Sequence, residues 1–212
     1  MDLVESLPLV QRLALSYAPA AARADTLTLL ALDLRLAGIV RRRSEVLLAQ
    51  LKLAWWRDRL REDPSRWPAG EPLLARLTTW RGGFDGLLEL VDGWEVLLAE
   101  TLSPADMRAF AAGRGAAWAA LACQSIDPAV AQAGREWALA DLALHLRALP
   151  EAELAREVAQ AEPWQEARLP RALRPLAVLR GLAGRALHSG SSEVLDGPRA
   201  ALAALRIGLV GR

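Results

Sequence analysis

The chain has 212 residues, 53% of them apolar, which is enough material for one substantial hydrophobic core. Its 26 basic and 25 acidic side chains leave a formal net charge of +1, a balance that carries no electrostatic footprint for nucleic acid. A lone cysteine, Cys123, excludes an internal disulfide and a cysteine-based zinc cluster; within GAAWAALACQ it reads as a small buried hydrophobe compatible with a reducing cytosol.

Ala, Leu and Arg dominate while Val, Ile, Thr, Tyr and Phe are sparse, and unbranched side chains lose little rotamer freedom in a helix. The expectation is an all-α protein. Apolar residues recur at three- and four-residue spacing, punctuated by Pro, Gly, Ser and Asp, which predicts eight to ten helices in a single domain over 1–212. The first spans about 5 to 17, behind an N-terminus, MDLVESLP, that is acidic and lacks the basic and apolar regions of a signal peptide. Helices over about 21 to 41 and 45 to 62 follow, the second capped by Ser44. The segment DPSRWPAGEP, 63 to 72, has three prolines and a glycine and must interrupt the helices on either side.

Further helices are predicted at about 71 to 80, 84 to 100, 104 to 124, 128 to 149, 151 to 160, 168 to 188 and 198 to 210. In SPADM, Ser103 can cap, Pro104 suits the first turn and Asp106 can support the exposed amides; Asp127-Pro128 repeats the device. HSGSSEVLDGP, 188 to 198, reads as a mobile loop. The last segment, PRAALAALRIGLVGR, alternates Ala and Leu with Arg199, Arg206 and Arg212. It reads as a final bundle helix with exposed arginines or as an interfacial or partner-binding helix. No stretch reaches the roughly 18 uncharged apolar residues of a membrane span, so the expected location is the cytoplasm, with peripheral attachment to the inner membrane as the variant.

The informative stretch is LLALDLRLAGIVRRRSEVLLAQLKLAWWRDRL, from Leu29. With SYAPAAAR before it, it resembles the start of the squalene/phytoene synthase family, in which a helix bearing an aspartate-rich motif precedes a helix ending in Trp-Trp-Arg. Weaker similarity runs through REWALADLALHLRALP and ARLPRALRPLAVLRGLAGRAL. The resemblance implies an isoprenoid synthase-type helical bundle around a deep apolar cavity. In catalytic members, aspartates on two facing helices bind Mg²⁺, which holds two prenyl diphosphates joined head to head, because adjacent polyanions need a hard divalent cation with oxygen ligands.

Matching Ile39-Val40 to the Ile-Val of the family's Asp-Asp-Ile-Val-Asp pattern puts Ala37, Gly38 and Arg41 where the three aspartates belong. Positions 37 and 41 lie one turn apart with 38 beside them, so carboxylates there would converge. In the second motif region, alignment through Leu146-Arg147 puts Leu144 and Ala148 at the usual Asn and Asp positions. The resemblance therefore implies a degenerate branch, similar to members of the complex I assembly factor type. That branch shares Leu36, Ala37 and Ile39; Ser44 and Glu45; Trp55, Trp56 and Arg57; and Leu146, Arg147, Ala148 and Pro150. What it implies is an assembly, scaffold or lipid-associated role, with a membrane surface or protein complex as partner and no cofactor.

Two other readings stay open. A divergent prenyltransferase would need Mg²⁺ and displaced carboxylates, for which Asp33, Asp141 and Glu136 are the candidates. A carrier would hold a prenyl or lipid chain without reacting. Arg41, Arg42 and Arg43 read either as a solvated helix end facing the macrodipole or as a metal-free anion site. Trp55 and Trp56 point about 100° apart, so one can enter the bundle, and Arg57 and Asp58 would lock the helix to its neighbours. The eight tryptophans, spread from Trp55 to Trp164, read as packing anchors. His145 and His188 have no companion cluster and read as structural or exposed, and serine-nucleophile, P-loop and dinucleotide signatures are absent from the sequence.

Overall fold

The computed structural model describes residues 3–41, 45–121, 128–146, 148–165, 168–191 and 193–210. Arg42, Arg43, the Ser44 cap, Cys123, Asp127, Arg147 and Arg212 lie outside these residues. Among the described residues the chain is all-helical, with eleven α-helices and two short 3-10 turns at Pro64–Arg66 and Arg171–Leu173. The helices are α1 Leu3–Ser6, α2 Leu9–Ser16, α3 Ala20–Val40, α4 Val46–Arg61, α5 Pro72–Leu77 and α6 Phe84–Val96. They continue with α7 Pro104–Ala120, α8 Pro128–His145, α9 Leu149–Ala161, α10 Arg174–Ser189 and α11 Gly197–Val210. The count exceeds the expected eight to ten because Pro8, which cannot continue a helix from α1, instead precedes α2 and splits the run predicted at 5 to 17.

Helix starts follow the local chemistry. Ser103 and Asp106 form a reciprocal capping box at α7, Ser103 Oγ accepting from the Asp106 amide at 3.2 Å and Asp106 Oδ2 accepting from the Ser103 amide at 2.9 Å. Pro72, Pro104, Pro150 and Pro175 occupy first-turn positions where no amide donor is needed. At the other end of α10, Gly190 takes a left-handed φ of 70° and the Ser191 amide donates back to Ala186 at 3.0 Å. That stop begins the 188 to 198 segment and leads into α11.

Helix α3 is the central rod: from Asp25 to Asp33 every side chain is buried, so this stretch has neighbours on all sides. Its Thr26 and Thr28 hydroxyls bond the carbonyls one turn back, at 2.8 and 2.9 Å, and so bring no unpaired donor into the core. Helix α7 packs between α6 and α8 with backbone nearly touching backbone. A methyl at Gly113 would stand 2.2 Å from the Glu89 carbonyl oxygen, and one at Gly115 would stand 2.5 Å from that of Ala131. Gly134 lies opposite Gly115 in the same seam.

Arginine clamps tie helices together around this core. Arg57 of α4 reaches Asp92 at 2.6 Å and also pairs with Glu95, both on α6, which fulfils the locking role expected of it; Asp58 is exposed. Two carboxylates hold that guanidinium in its charged form against the opposing effect of burial. Trp56 enters the core at 2% exposure while Trp55, edge-on to it at 5.2 Å, stays 38% exposed.

Gly113→Ala should force α6 and α7 apart. Although alanine favours a helix by about 1 kcal/mol over glycine, overpacking against rigid backbone costs roughly 1–3 kcal/mol. Urea titration should give a net loss of stability with an unchanged m-value, whereas Gly83→Ala, which meets open space, should cost little.

Candidate functional site

At the centre of α7, between the two glycines that let α6 and α8 approach, Arg114 is 2% exposed. Its Nη2 donates to Asp33 Oδ2 of α3 at 2.6 Å and its Nη1 donates to Asp141 Oδ2 of α8 at 2.8 Å. The remaining Asp33 oxygen accepts from the Trp94 indole at 2.8 Å, and the remaining Asp141 oxygen faces His145 Nδ1 at 3.3 Å. All four carboxylate oxygens therefore have a partner. The guanidinium carbon lies 3.8 Å from the Trp137 ring centroid, with Phe110 at 5.3 Å and Trp94 at 5.7 Å, so its faces meet aromatic rings while its edge meets carboxylates.

Electrostatics follow from this packing. Burial alone would drive protons off Arg114, but the charges of Asp33 and Asp141 outweigh it and raise its pKa. Burial alone would raise the Asp141 carboxyl; the Arg114 guanidinium and then His145 overcome that and hold it well below the usual carboxylate range. His145, whose ring is largely exposed, is raised above its usual value by hydrogen bonding and charge from Asp141.

This cluster forms one end of a cavity of about 430 Å³, within the size range of small-molecule sites. The rest of its wall is mainly apolar: Val10 from α2, Leu34, Ala37 and Val40 from α3, and Leu97, Leu102, Leu142 and Leu146. Gln11 also lines it, with its side-chain oxygen buried and lacking a hydrogen-bond partner among the described residues.

Asp33, Ala37 and Arg41 thus line the same cavity as Asp141 and Ala148, so the two motif regions singled out in the sequence do face each other. Gly38 does not join them: it opens onto a second groove between α3 and α4, because one residue is a 100° turn around the helix. Leu144 is partly buried against the core rather than at the cavity wall. Glu136, a third candidate carboxylate, is on the far side of α8; it is 1% exposed, paired with Arg180 of α10 and accepting from the Gln165 amide at 3.1 Å. Arg41 is exposed at the cavity rim, and His188 bonds the Gly184 carbonyl at 2.7 Å against Trp164.

A divalent metal does not fit this donor set. Asp33 and Asp141 already share a buried cation, and a Mg²⁺ ion between them would have to displace the guanidinium or stand beside it. Among the described residues no group of three His, Cys, Asp or Glu side chains converges as metal ligands.

Sequence reasoning missed Arg114, Trp94 and Trp137. The signal was present in AFAAGRGAAWAALA, where a single arginine interrupts an otherwise small and apolar helix face and is flanked by glycines. The tryptophans other than the exposed Trp55 are buried or half-buried packing residues, and Trp94 and Trp137 also converge on one charge.

Comparison of the chain with family models, with curated proteins and with solved structures returned no match.

Two predictions come from the cluster. Arg114→Ala should cost roughly 3–5 kcal/mol by stranding two carboxylates, and Arg114→Lys should fail to rescue it because an ammonium lacks the planar fork. The triple variant Arg114→Met, Asp33→Asn, Asp141→Asn should recover most of that loss in denaturant titrations. Because Asp141 is depressed in the folded protein, its contribution is full above the unfolded value near 3.8 and is lost as pH falls through the folded value. Acidification should therefore destabilise the wild type more than the triple variant.

His145 has the opposite sign. Its stabilisation is full below the ordinary value of 6.5 and is lost as pH rises through its raised folded value. His145→Gln should remove this part of the stability profile on the alkaline side of 6.5, and an imidazole NMR titration at or below 6.5 would contradict the assignment.

Proposed function

We propose that this protein is a non-catalytic, degenerate relative of the squalene/phytoene synthase-like proteins, with a lipid-associated role in which the central cavity holds a prenyl or lipid chain. The observation that carries the reading is the pairing of Asp33 and Asp141, the cavity carboxylates on the two facing helices, with Arg114. An ionising diphosphate needs several kcal/mol of charge stabilisation from metal ions, and each ~1.4 kcal/mol lost is a tenfold loss of rate. Here the two acidic groups are spent on an internal cation.

The wall chemistry favours a holder over a bare scaffold. A mainly apolar lining with charged groups at the Arg114 cluster and at the rim suits an amphiphilic chain, and the Gln11 amide oxygen offers a buried acceptor for a hydroxyl or similar donor on the ligand. Arg41 at the rim adds a cation without a metal. The divergent prenyltransferase reading would require Mg²⁺ ligands that the described residues do not assemble.

The test pairs binding with turnover, using farnesol and farnesyl diphosphate with and without Mg²⁺. Native mass spectrometry should detect a metal-independent complex, lost in Ala37→Phe, which fills the cavity, and pyrophosphate release should be absent. Mg²⁺-dependent release abolished by Asp33→Ala or Asp141→Ala would overturn the proposal in favour of an enzyme. No complex with either probe would overturn the holding role.

A further inference from the structure

The first half of α4 is apolar on two opposite sides, and only one is covered. Ala49, Leu53 and Trp56 enter the core, while Leu47 is 72% exposed and Leu51 61%. Leu47, Leu51 and Trp55 follow at four-residue spacing and form one stripe, with Leu48 beside it. A helix that is apolar on both sides ordinarily has both sides buried.

The charges around this stripe are mostly basic. Helix α4 carries Lys52, Arg57, Arg59 and Arg61 against a single carboxylate, Asp58. On a 100° wheel, Lys52 and Arg59 fall on one edge of the stripe and Arg57 and Arg61 on the other, while the exposed Asp58 lies on the stripe's own side one turn beyond Trp55. Arg57 is committed to α6 and Arg59 to Glu62, but Lys52 makes no ion pair among the described residues, and Arg61 is exposed. Glu45 is the acidic neighbour at the start of the helix.

The stripe continues into the second groove, an open cleft of about 610 Å³ walled by Leu3, Leu34, Ile39, Trp55 and Leu73, with Lys52 and the Arg35–Glu71 pair also lining it. Among the described residues no helix is long and apolar enough to cross a membrane; an amphipathic helix face of this kind lies in the interfacial plane.

We infer that the exposed face of α4 docks on an anionic lipid surface, Leu47, Leu48 and Leu51 entering the acyl boundary, Trp55 lying at headgroup level and Lys52 with Arg61 meeting lipid phosphates. The charge pattern selects this occupant: leucines flanked by cations match an apolar layer beneath an anionic one. A second copy would instead set the same cation-edged stripe against itself. This surface is separate from the central cavity, and the inference does not depend on what that cavity holds.

The test is co-sedimentation of the full chain with phosphatidylcholine vesicles with and without phosphatidylglycerol. Binding should require the anionic lipid and weaken with salt. Leu47→Gln with Leu51→Gln, both at exposed positions, should lower partitioning by at least about tenfold, with helicity unchanged by circular dichroism. Lys52→Gln should weaken binding to anionic vesicles, while Leu202→Gln with Leu205→Gln on α11 should leave it unchanged. Equal binding by the α4 variant, or loss only in the α11 variant, would overturn the inference. So would a concentration-dependent dimer in sedimentation equilibrium that the α4 variant abolishes without any vesicle binding, which would assign the face to a second copy.

Discussion

Burying one guanidinium constrains much of this bundle. A charge taken out of water carries a penalty of several kcal/mol unless its partners come with it, and Arg114 is 2% exposed in the middle of α7. Its partners are drawn from α3 and α8, with Trp94 of α6 donating to Asp33 as a fourth participant. Four helices must therefore hold their relative positions to within hydrogen-bonding tolerance. Gly113 and Gly115 make this feasible, since the neighbouring helices can approach α7 only where it has no side chain on the facing side. The same tightness strengthens the Arg114–Asp33 pair by excluding water from around it.

Similar arginine clamps recur elsewhere with different helix pairs. Arg57 joins α4 to α6, Arg180 joins α10 to Glu136 of α8, and Arg81 reaches Asp25 of α3 at 2.8 Å. Helices made largely of leucine and alanine slide and rotate at little cost, because one small apolar contact replaces another. Directional pairs between named positions select one register. The central clamp differs in that its carboxylates also line a cavity, so the interaction that fixes the helices also sets what chemistry the cavity offers.

The sequence disclosed the helices well because their cause is local. Periodic leucines, first-turn prolines and the Ser103–Asp106 box depend on residues within a few positions of one another. The break at Pro8 is equally local, set by a residue that cannot continue a helix. The site was legible only in outline: the regions around Ala37 and Ala148 do meet at one cavity, yet Gly38 turns away to the other side of α3 and Glu136 to the other side of α8. Those errors have a shared origin, since proximity along a helix says little about direction when each residue turns by 100°. Arg114 escaped for another reason. An arginine in an apolar helix reads as a solvated exception until partners 81 and 27 residues away are placed beside it.

Helix α3 gains a second role from these directions. Asp33 and Ala37 face the central cavity, whereas Arg35, Gly38 and Ile39 face the groove beside α4, so one helix is the wall between two concave surfaces. A wall of this kind transmits movement only if it can move. Both Asp33 oxygens are held, by Arg114 and Trp94, and Arg35 is tied to Glu71 on the groove side at 3.0 Å. Sliding α3 along its axis would break these directional contacts together, and at the buried Asp33–Arg114 pair it would leave charges unpaired at several kcal/mol. The two surfaces are therefore held apart by a pinned helix, and an occupant of either meets a preformed shape whose apolar area need not be offset against reorganisation of the bundle.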